Sequence, residues 1–366
     1  TFGTYNVTIG RGGSNMDGVA ADTPLATDGM SVTLIYMDAS KGWSYINEDT
    51  TTSTGATYLA ATGGNTTITC GNYKTHIFTG PGTLCVSSVG NPAGSDSVEY
   101  LVVAGGGASG GYGSGGGYQG GGGGGAGGFR TYSSLPSVSP LNGPGGVPVT
   151  ASPYPVTVGA GGATQPCNST TGNVGDVSTF STITSAGGGG GGSKNSPCNG
   201  NGASGGSGGG GRGSMSCQGA SDGGAGNTPP VSPPQGNPGG TGGQNPPNEV
   251  GAGGGGGAGA AAADMSPIAS SYGIGGGDGS YMHPDFFGPT APSYGQSPTP
   301  LAPNGRYFAG GGGGGSGNVS VPAPLHPVGG AGGGGDGGDG DGPPMTAGAV
   351  NTGGGGGGPS STTNAA

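Results

Sequence analysis

Uninterrupted glycine runs decide what this chain is able to fold into: Gly120–Gly125, Gly187–Gly192, Gly310–Gly315 and Gly353–Gly358 carry no side chain at any position. Such a run has no apolar stripe to turn toward a core, so neither an amphipathic helix nor an alternating strand forms from it. By composition alone it reads as a flexible low-complexity tract. Ordering it costs about 1–2 kcal/mol per residue, and glycine loses more backbone freedom than any other residue. An ordered form therefore needs a compensating interaction that repeats along the backbone. Collagen is excluded because glycine is not confined to every third position, and a β-stack is disfavoured because glycine is a poor strand former. The solution left is a bundle of polyproline-II-type helices made of glycine, with three residues per turn and no internal hydrogen bonds. Bare helices approach closely, and each N–H then finds a carbonyl on a neighbour, with Cα–H···O contacts adding about 0.5–1 kcal/mol each.

The runs are confined to one part of the chain. Of 103 glycines, 15 lie in residues 1–104 and 88 in residues 105–366. The expected fold class is mostly irregular/β: a small N-terminal β module over 1–104, followed by a polyglycine-II helix bundle with long loops over 105–366. Glycine-rich stretches recur near 105–128, 159–162, 187–192, 205–211, 222–226, 239–243, 251–259, 273–279, 309–317, 328–340 and 353–358, separated by segments rich in Pro, Ser, Thr and Asn that reverse the chain. If consecutive helices alternate in direction, alternate loops gather at opposite ends, and one end presents a set of variable loops suited to binding.

In the first module, Met30 to Met37 alternates as a half-buried strand does, Asp38-Ala39-Ser40-Lys41-Gly42 reads as a turn, and Trp43, Tyr45 and Ile46 begin a return strand. Trp43, the only tryptophan, is expected to anchor the core. Tyr73–Phe78 and Leu84–Ser88 read as a hairpin across Thr79-Gly80-Pro81-Gly82, and Val98–Val103 as an apolar strand leading into the glycine. A module this small is marginal alone, so it is expected to make contacts between copies of the chain, as a homotrimer.

Composition narrows the function. Apolar residues are 29% and charged residues 7%, too few for a large side-chain core. Seven Lys and Arg in a chain of net charge −10 provide no basic patch, which argues against nucleic acid. The longest strongly apolar run, Tyr100–Ala104, is far below the roughly twenty residues of a membrane span. Five cysteines (Cys70, Cys85, Cys167, Cys198, Cys217) form no C-x-x-C pair, so zinc is not expected; Cys167 with Cys198 as a bridge between loops and idle thiols are the two readings. Matches to G-x-S-x-G at Gly107–Gly111 and Gly202–Gly206 arise by chance in such tracts, and His76, His283 and His326 do not cluster. No enzymatic activity is expected.

Two constellations stand out. Tyr281-Met282-His283-Pro284-Asp285-Phe286-Phe287 is the densest aromatic cluster outside the first module, and Tyr281, Met282, His283, Asp285, Phe286 and Phe287 are the candidate receptor-binding residues. At a loop tip such rings stack on sugars or fill a receptor pocket; folded back, they cover the bundle. Asp336, Asp339 and Asp341 are the candidate calcium ligands, and no other cofactor is expected. In a three-residue helix Asp336 and Asp339 share an edge about 9 Å apart, too far to hold one ion without a bend, so a solvated acidic edge is the competing reading.

The stretch Tyr73-Lys74-Thr75-His76-Ile77-Phe78-Thr79-Gly80-Pro81-Gly82-Thr83, followed by Val98-Glu99-Tyr100-Leu101-Val102-Val103-Ala104-Gly105-Gly106-Gly107, resembles the lead-in to glycine-rich domains of bacteriophage tail-fibre proteins, most closely those of cyanobacterial phages. Tyr154–Gly162, Phe180–Ala186 and Gly305–Ala309 fit the same pattern in the same order. The resemblance implies a virion tail component with a polyglycine-II scaffold whose loops recognise a host bacterial surface receptor, protein or polysaccharide, and which contacts other virion tail proteins. The alternatives are a subunit of an extracellular or cell-surface filament, for which the sequons at Asn6, Asn65, Asn168 and Asn318 would matter, and an ice-binding protein.

Overall fold

Short antiparallel strands and backbone-paired glycine runs make up the chain. The computed structural model describes residues 5–25, 31–48, 58–71, 73–90, 94–111, 120–135, 139–164, 170–193, 200–213, 221–243, 250–265, 272–288, 294–297, 305–317, 325–340 and 342–360. Among them there is no α-helix, and one 3-10 turn spans Pro284–Phe287. The chain divides into two compact units, residues 1–60 with 88–96 and residues 61–87 with 97–366. The division is not at residue 104/105: strands ahead of the glycine region pair with strands inside it, and so belong to its unit.

In the first unit, β1 (Val7–Ile9) pairs with β2 (Thr23–Leu25), and β3 (Ser31–Asp38) pairs with β4 (Gly42–Glu48), each as a two-stranded antiparallel sheet. The β3–β4 turn is set by Asp38, whose carboxylate accepts from the N–H of Lys41 (2.6 Å) and of Ser40 (2.8 Å). Those two bonds, with the Lys41 charge, lower its pKa. Gly42 closes the turn at φ 71°, where a Cβ would also run into the Asn15 backbone. Trp43 does not anchor a core. It is 38% exposed and packs edge-on against Tyr36, while Met16 and Leu25 are buried. A two-stranded sheet has no second layer to cover an indole, so the ring stays at the surface.

In the second unit, β5 (Ala60–Thr62), β6 (Thr66–Cys70), β7 (Tyr73–Ile77), β8 (Gly82–Ser88), β9 (Ser97–Val98) and β10 (Tyr100–Val103) precede the glycine runs. Interleaved with the runs are β11 (Phe129–Tyr132), β12 (Val147–Pro148), β13 (Pro153–Thr157), β14 (Ser178–Phe180), β15 (Ile183–Ser185), β16 (Ser280–Met282) and β17 (Arg306–Phe308). The largest sheet has the order β15-β14-β13-β8-β5, and β10 pairs with β11. The expected β7–β8 hairpin does not form. β7 pairs with β6, while β8 pairs with β13. Pro153 and Pro155 lie opposite β8 at a stretch of β13 that β14 does not reach, since β14 pairs only with Val156 and Thr157. That leaves the two prolines on an open edge, where no ladder donor is missed.

The glycine runs are held by backbone hydrogen bonds with a period of three residues. Run 120–128 is the clearest case. The N–H groups of Gly120, Gly123 and Ala126 donate to Val250, Gly253 and Gly256; those of Gly121, Gly124 and Gly127 donate to Pro359, Gly356 and Gly353; those of Gly122, Gly125 and Gly128 donate to Gly192, Gly189 and Ala186. Its carbonyls accept in the same rhythm: from Gly213, Gly210 and Ser207, from Gly315 and Gly312, and from Gly110, Gly107 and Ala104. Six neighbouring runs therefore surround it, three taking its N–H groups and three its carbonyls. Bonds at 2.7–3.3 Å satisfy a buried backbone that has no ladder of its own.

Side chains form a plug at one end of this lattice. Phe129 follows directly on the central run and is fully buried with Met282, Phe287 and Phe308, while Ile68, Leu101, Val103, Leu141 and Tyr294 pack around them. Gln235, buried, closes the same end: its backbone carbonyl accepts from Phe129 N–H, its Oε1 accepts from Ala186 N–H (2.8 Å), and its Nε2 donates to Pro229 O (2.9 Å).

Candidate binding end of the glycine lattice

Hydrogen-bond register gives each run a direction. Runs 104–111, 186–193, 206–213, 309–316 and 353–359 lie antiparallel to run 120–128, because partner numbers fall by three as its own rise by three. Run 250–259 lies parallel to it, and run 272–279 parallel to 250–259 through Ile274 to Ala252 and Gly277 to Gly255. The same rule sets 172–177 against 186–193, 200–204 against 206–213, 221–226 against 235–243, and 343–349 against 333–339. Run 260–265 returns beside 235–243, with Ala262 N–H on Pro238 O, Ala263 at Gly240 and Met265 at Gly243, and run 327–330 lies antiparallel to 333–339 through Gly337 to Pro327 and Gly334 to Gly330, so that direction alternates along the chain. The runs ending at Gly111, Ser193, Gly213, Gly243 and Gly317 all finish at one end, and those beginning at Gly120, Gly200, Ser221, Val250 and Leu325 start there. Between these residues lie the connections 112–119, 194–199, 214–220, 244–249 and 318–324, which are outside the described residues, as are Cys167, Cys198 and Cys217. Cys70 and Cys85 are free thiols.

The opposite end carries β10, β11, the β14–β15 hairpin, residues 227–235 and the β16–β17 segment, so the aromatic candidates sit there. Met282 (2% exposed) and Phe287 (6%) belong to the buried plug. Phe287 meets Phe308 at 5.7 Å and Phe286 at 5.4 Å between centroids, and Tyr281 meets Tyr307 at 5.6 Å. The Phe286 carbonyl accepts from Thr75 Oγ1 (3.1 Å). His283 Nδ1 accepts from Asp285 N–H (3.3 Å), and the exposed Asp285 carboxylate lies 3.6 Å from the same ring nitrogen. Met282 and Phe287 are therefore covering residues and present no face to a ligand; the pattern Tyr-Met-His-Pro-Asp-Phe-Phe reads alike for an exposed tip and for a 3-10 turn folded onto a core. Tyr307 has its pKa raised by burial, then by Tyr281 and Asp278, and burial raises that of Tyr100 against the pull of Arg130.

The acidic candidates are separated. The Asp336 carboxylate accepts from Gly329 N–H (2.8 Å) and is solvent-exposed, whereas Asp339 is buried, facing Ser316 Oγ (3.2 Å) and His326 Nδ1. Asp341 lies outside the described residues. Among the described residues no group of three or more His, Cys, Asp or Glu is arranged to hold a metal ion. No helix among them is long and apolar enough to cross a membrane. The residues that reasoning from sequence missed are Gln235, Asn237, whose Nδ2 donates to Gly257 and Ala258 carbonyls, and Thr131, whose hydroxyl donates to Tyr100 O. Nothing local distinguishes them from other polar loop residues.

The lattice and the strands that feed it coincide with a match to one family model, described as a glycine-rich domain, over residues 79–366. The chain belongs to this glycine-rich domain family. The family's span begins at Thr79, taking in β8 and everything after it and leaving out β1–β7. No curated protein and no solved structure matches the chain.

Proposed function

We propose that the chain is a structural and adhesive component of a phage tail fibre, in which the glycine runs form a polyglycine-II bundle and the end bearing the long connections recognises a bacterial surface receptor. The observation that carries this is the alternation of run direction, which brings the ends of successive described runs together at one end of a backbone-built scaffold. Three further features support it. The period of three in the hydrogen bonds is the period of a polyproline-II-type helix. A scaffold cored by backbone leaves connection sequences free to vary without loss of a side-chain core. The lead-in phrases Tyr73–Thr83 and Val98–Gly107 resemble those of tail-fibre proteins.

The test uses fluorescently labelled full chain on a panel of intact bacterial strains. Binding to a subset of strains is expected, and replacing 244–249 or 318–324 with Gly/Ser segments of equal length abolishes it while the melting temperature is retained. Absence of binding to every strain, or binding indifferent to each connection at this end, refutes the reading. Antibody labelling of purified particles is expected to decorate tail fibres.

A further inference from the structure

Two neighbouring runs of the glycine lattice each lack one partner, and they lack the same one. Runs 120–128 and 309–316 are each surrounded by six others. Among the described residues, run 104–111 is bonded to five, namely 120–128, 159–164, 172–177, 186–193 and 353–359. Run 353–359 is likewise bonded to five, namely 104–111, 120–128, 309–316, 333–339 and 343–349. The period of three shows where the sixth belongs. In run 104–111 the N–H groups of 104, 107 and 110 go to run 120–128 and those of 105, 108 and 111 to residues 170–176, which leaves the row of Gly106 and Ser109. In run 353–359 the carbonyls of 353, 356 and 359 go to run 120–128 and those of 355 and 358 to run 333–339, which leaves the row of Gly354 and Gly357. Neither row finds a hydrogen-bond partner among the described residues. The two runs touch, Gly356 N–H donating to Gly107 O, so both rows open on the one position between 159–164 and 343–349. Side-chain space marks the same position. Gly161 and Gly356 are the two glycines of the described runs at which a Cβ would meet nothing within 3.4 Å, the nearest atoms being Gly106 O at 3.7 Å and Ser109 N at 3.5 Å. Ser109, Gly354 and Gly356 are half-buried, so this slot opens to the surface.

We propose that the slot takes up an extended glycine-rich segment of a partner protein, which completes the lattice as an added strand completes a sheet edge. The carbonyls of Gly354 and Gly357 accept its N–H groups, and its carbonyls accept from Gly106 and Ser109. An extended chain with three residues per turn repeats at the spacing of those rows. With four of the six surrounding positions filled, two residues of each turn face backbone and must be glycine, while the third faces solvent and carries any side chain. A proline-rich segment shares the extension but has no N–H to give. The described runs of this chain are already committed to one another, so the segment comes from a different protein. The slot belongs to the lattice and is independent of what the connections recognise.

The experiment titrates the full chain with dye-labelled peptides of Gly-Gly-Ser, Gly-Ser-Ser and Pro repeats, reading anisotropy and amide exchange. In the free chain Gly106 and Ser109 exchange fast beside slow Gly105 and Gly107. The Gly-Gly-Ser peptide is expected to bind saturably and to slow both fast amides by about tenfold or more, while the other two peptides do neither. Gly356→Ala and Gly161→Ala each put a methyl group into the slot without touching the lattice. Each variant is expected to melt no lower than wild type and to bind the Gly-Gly-Ser peptide about tenfold or more weakly. No saturable binding of that peptide, equal binding of either control peptide, binding indifferent to both alanines, or slow exchange of Gly106 and Ser109 in the free chain each overturns the proposal.

Discussion

Gly312 and Gly356 meet in the lattice, and alanine at one is expected to do the opposite of alanine at the other. Neither has a φ in the left-handed region, so backbone strain does not distinguish them. A Cβ on Gly312 would stand 2.5 Å from Gly356 C and 3.1 Å from Gly355 O, and closer still to Gly356 O. That atom is backbone, fixed by its neighbours, so the two runs must part. Overpacking costs about 1–3 kcal/mol, and the Gly312 N–H bond to Gly124 O is drawn apart with it, leaving a buried donor at about 1–3 kcal/mol. Gly312→Ala is expected to destabilise by about 2–6 kcal/mol. A Cβ on Gly356 meets nothing nearer than Ser109 N at 3.5 Å. Gly356→Ala then stabilises by about 0.4–1 kcal/mol, by restricting the unfolded chain. Denaturant unfolding of the two variants beside wild type measures both signs. Equal effects, or a tolerated Gly312→Ala, would mean the runs are not held at this spacing. Gly189→Ala, whose Cβ would lie 2.8 Å from Ala203 C and 2.9 Å from Gly209 N, follows Gly312→Ala.

Phe287→Ala empties the plug beside Phe308 and is expected to cost about 3–5 kcal/mol, against less than about 0.5 kcal/mol for exposed Asp285→Ala, in the same unfolding assay. Gln235→Leu leaves Ala186 N–H without its acceptor and is expected to cost about 1–3 kcal/mol, with faster amide exchange at Ala186. Tyr100 and Tyr307 have raised pKa values, so the folded chain holds those protons above pH ~10, where the unfolded chain releases them. Their contribution is complete below that pH and declines as pH rises further; melting temperatures from pH 8 to 11.5 are expected to fall less steeply in Tyr307→Phe. Calcium is expected to leave the melting temperature unchanged, since Asp336 is turned onto Gly329 and Asp339 onto His326.

The sequence carried the local part of this fold well. Alternation from Val32 to Met37 with Asp38-Ala39-Ser40-Lys41-Gly42 located the β3–β4 hairpin, because register and turn chemistry are written in adjacent residues. Unbroken glycine likewise implied runs satisfied by their neighbours, since nothing within a bare run can hold it. Pairing over distance was not legible. β8 joins β13 rather than nearby β7, and Trp43 is exposed; both depend on which strands meet in space. The aromatic segment shows the same limit: whether Phe287 points outward or onto Phe308 is decided by Phe129 and Ile68, far away in sequence. Asp336 and Asp339 share the period of three, yet one is solvent-exposed and the other lies under His326, a residue that their spacing does not mention.

Amide hydrogen–deuterium exchange across residues 120–128 tests the lattice most directly. In a chain without helix or sheet at these positions, free glycine amides exchange fast, whereas here each N–H donates to one of three neighbouring runs and its carbonyls are held by three others. The lattice predicts that Gly121 to Gly128 are among the slowest amides in the protein and open only with global unfolding. Exchange of that run at the rate of an unstructured glycine peptide would contradict it.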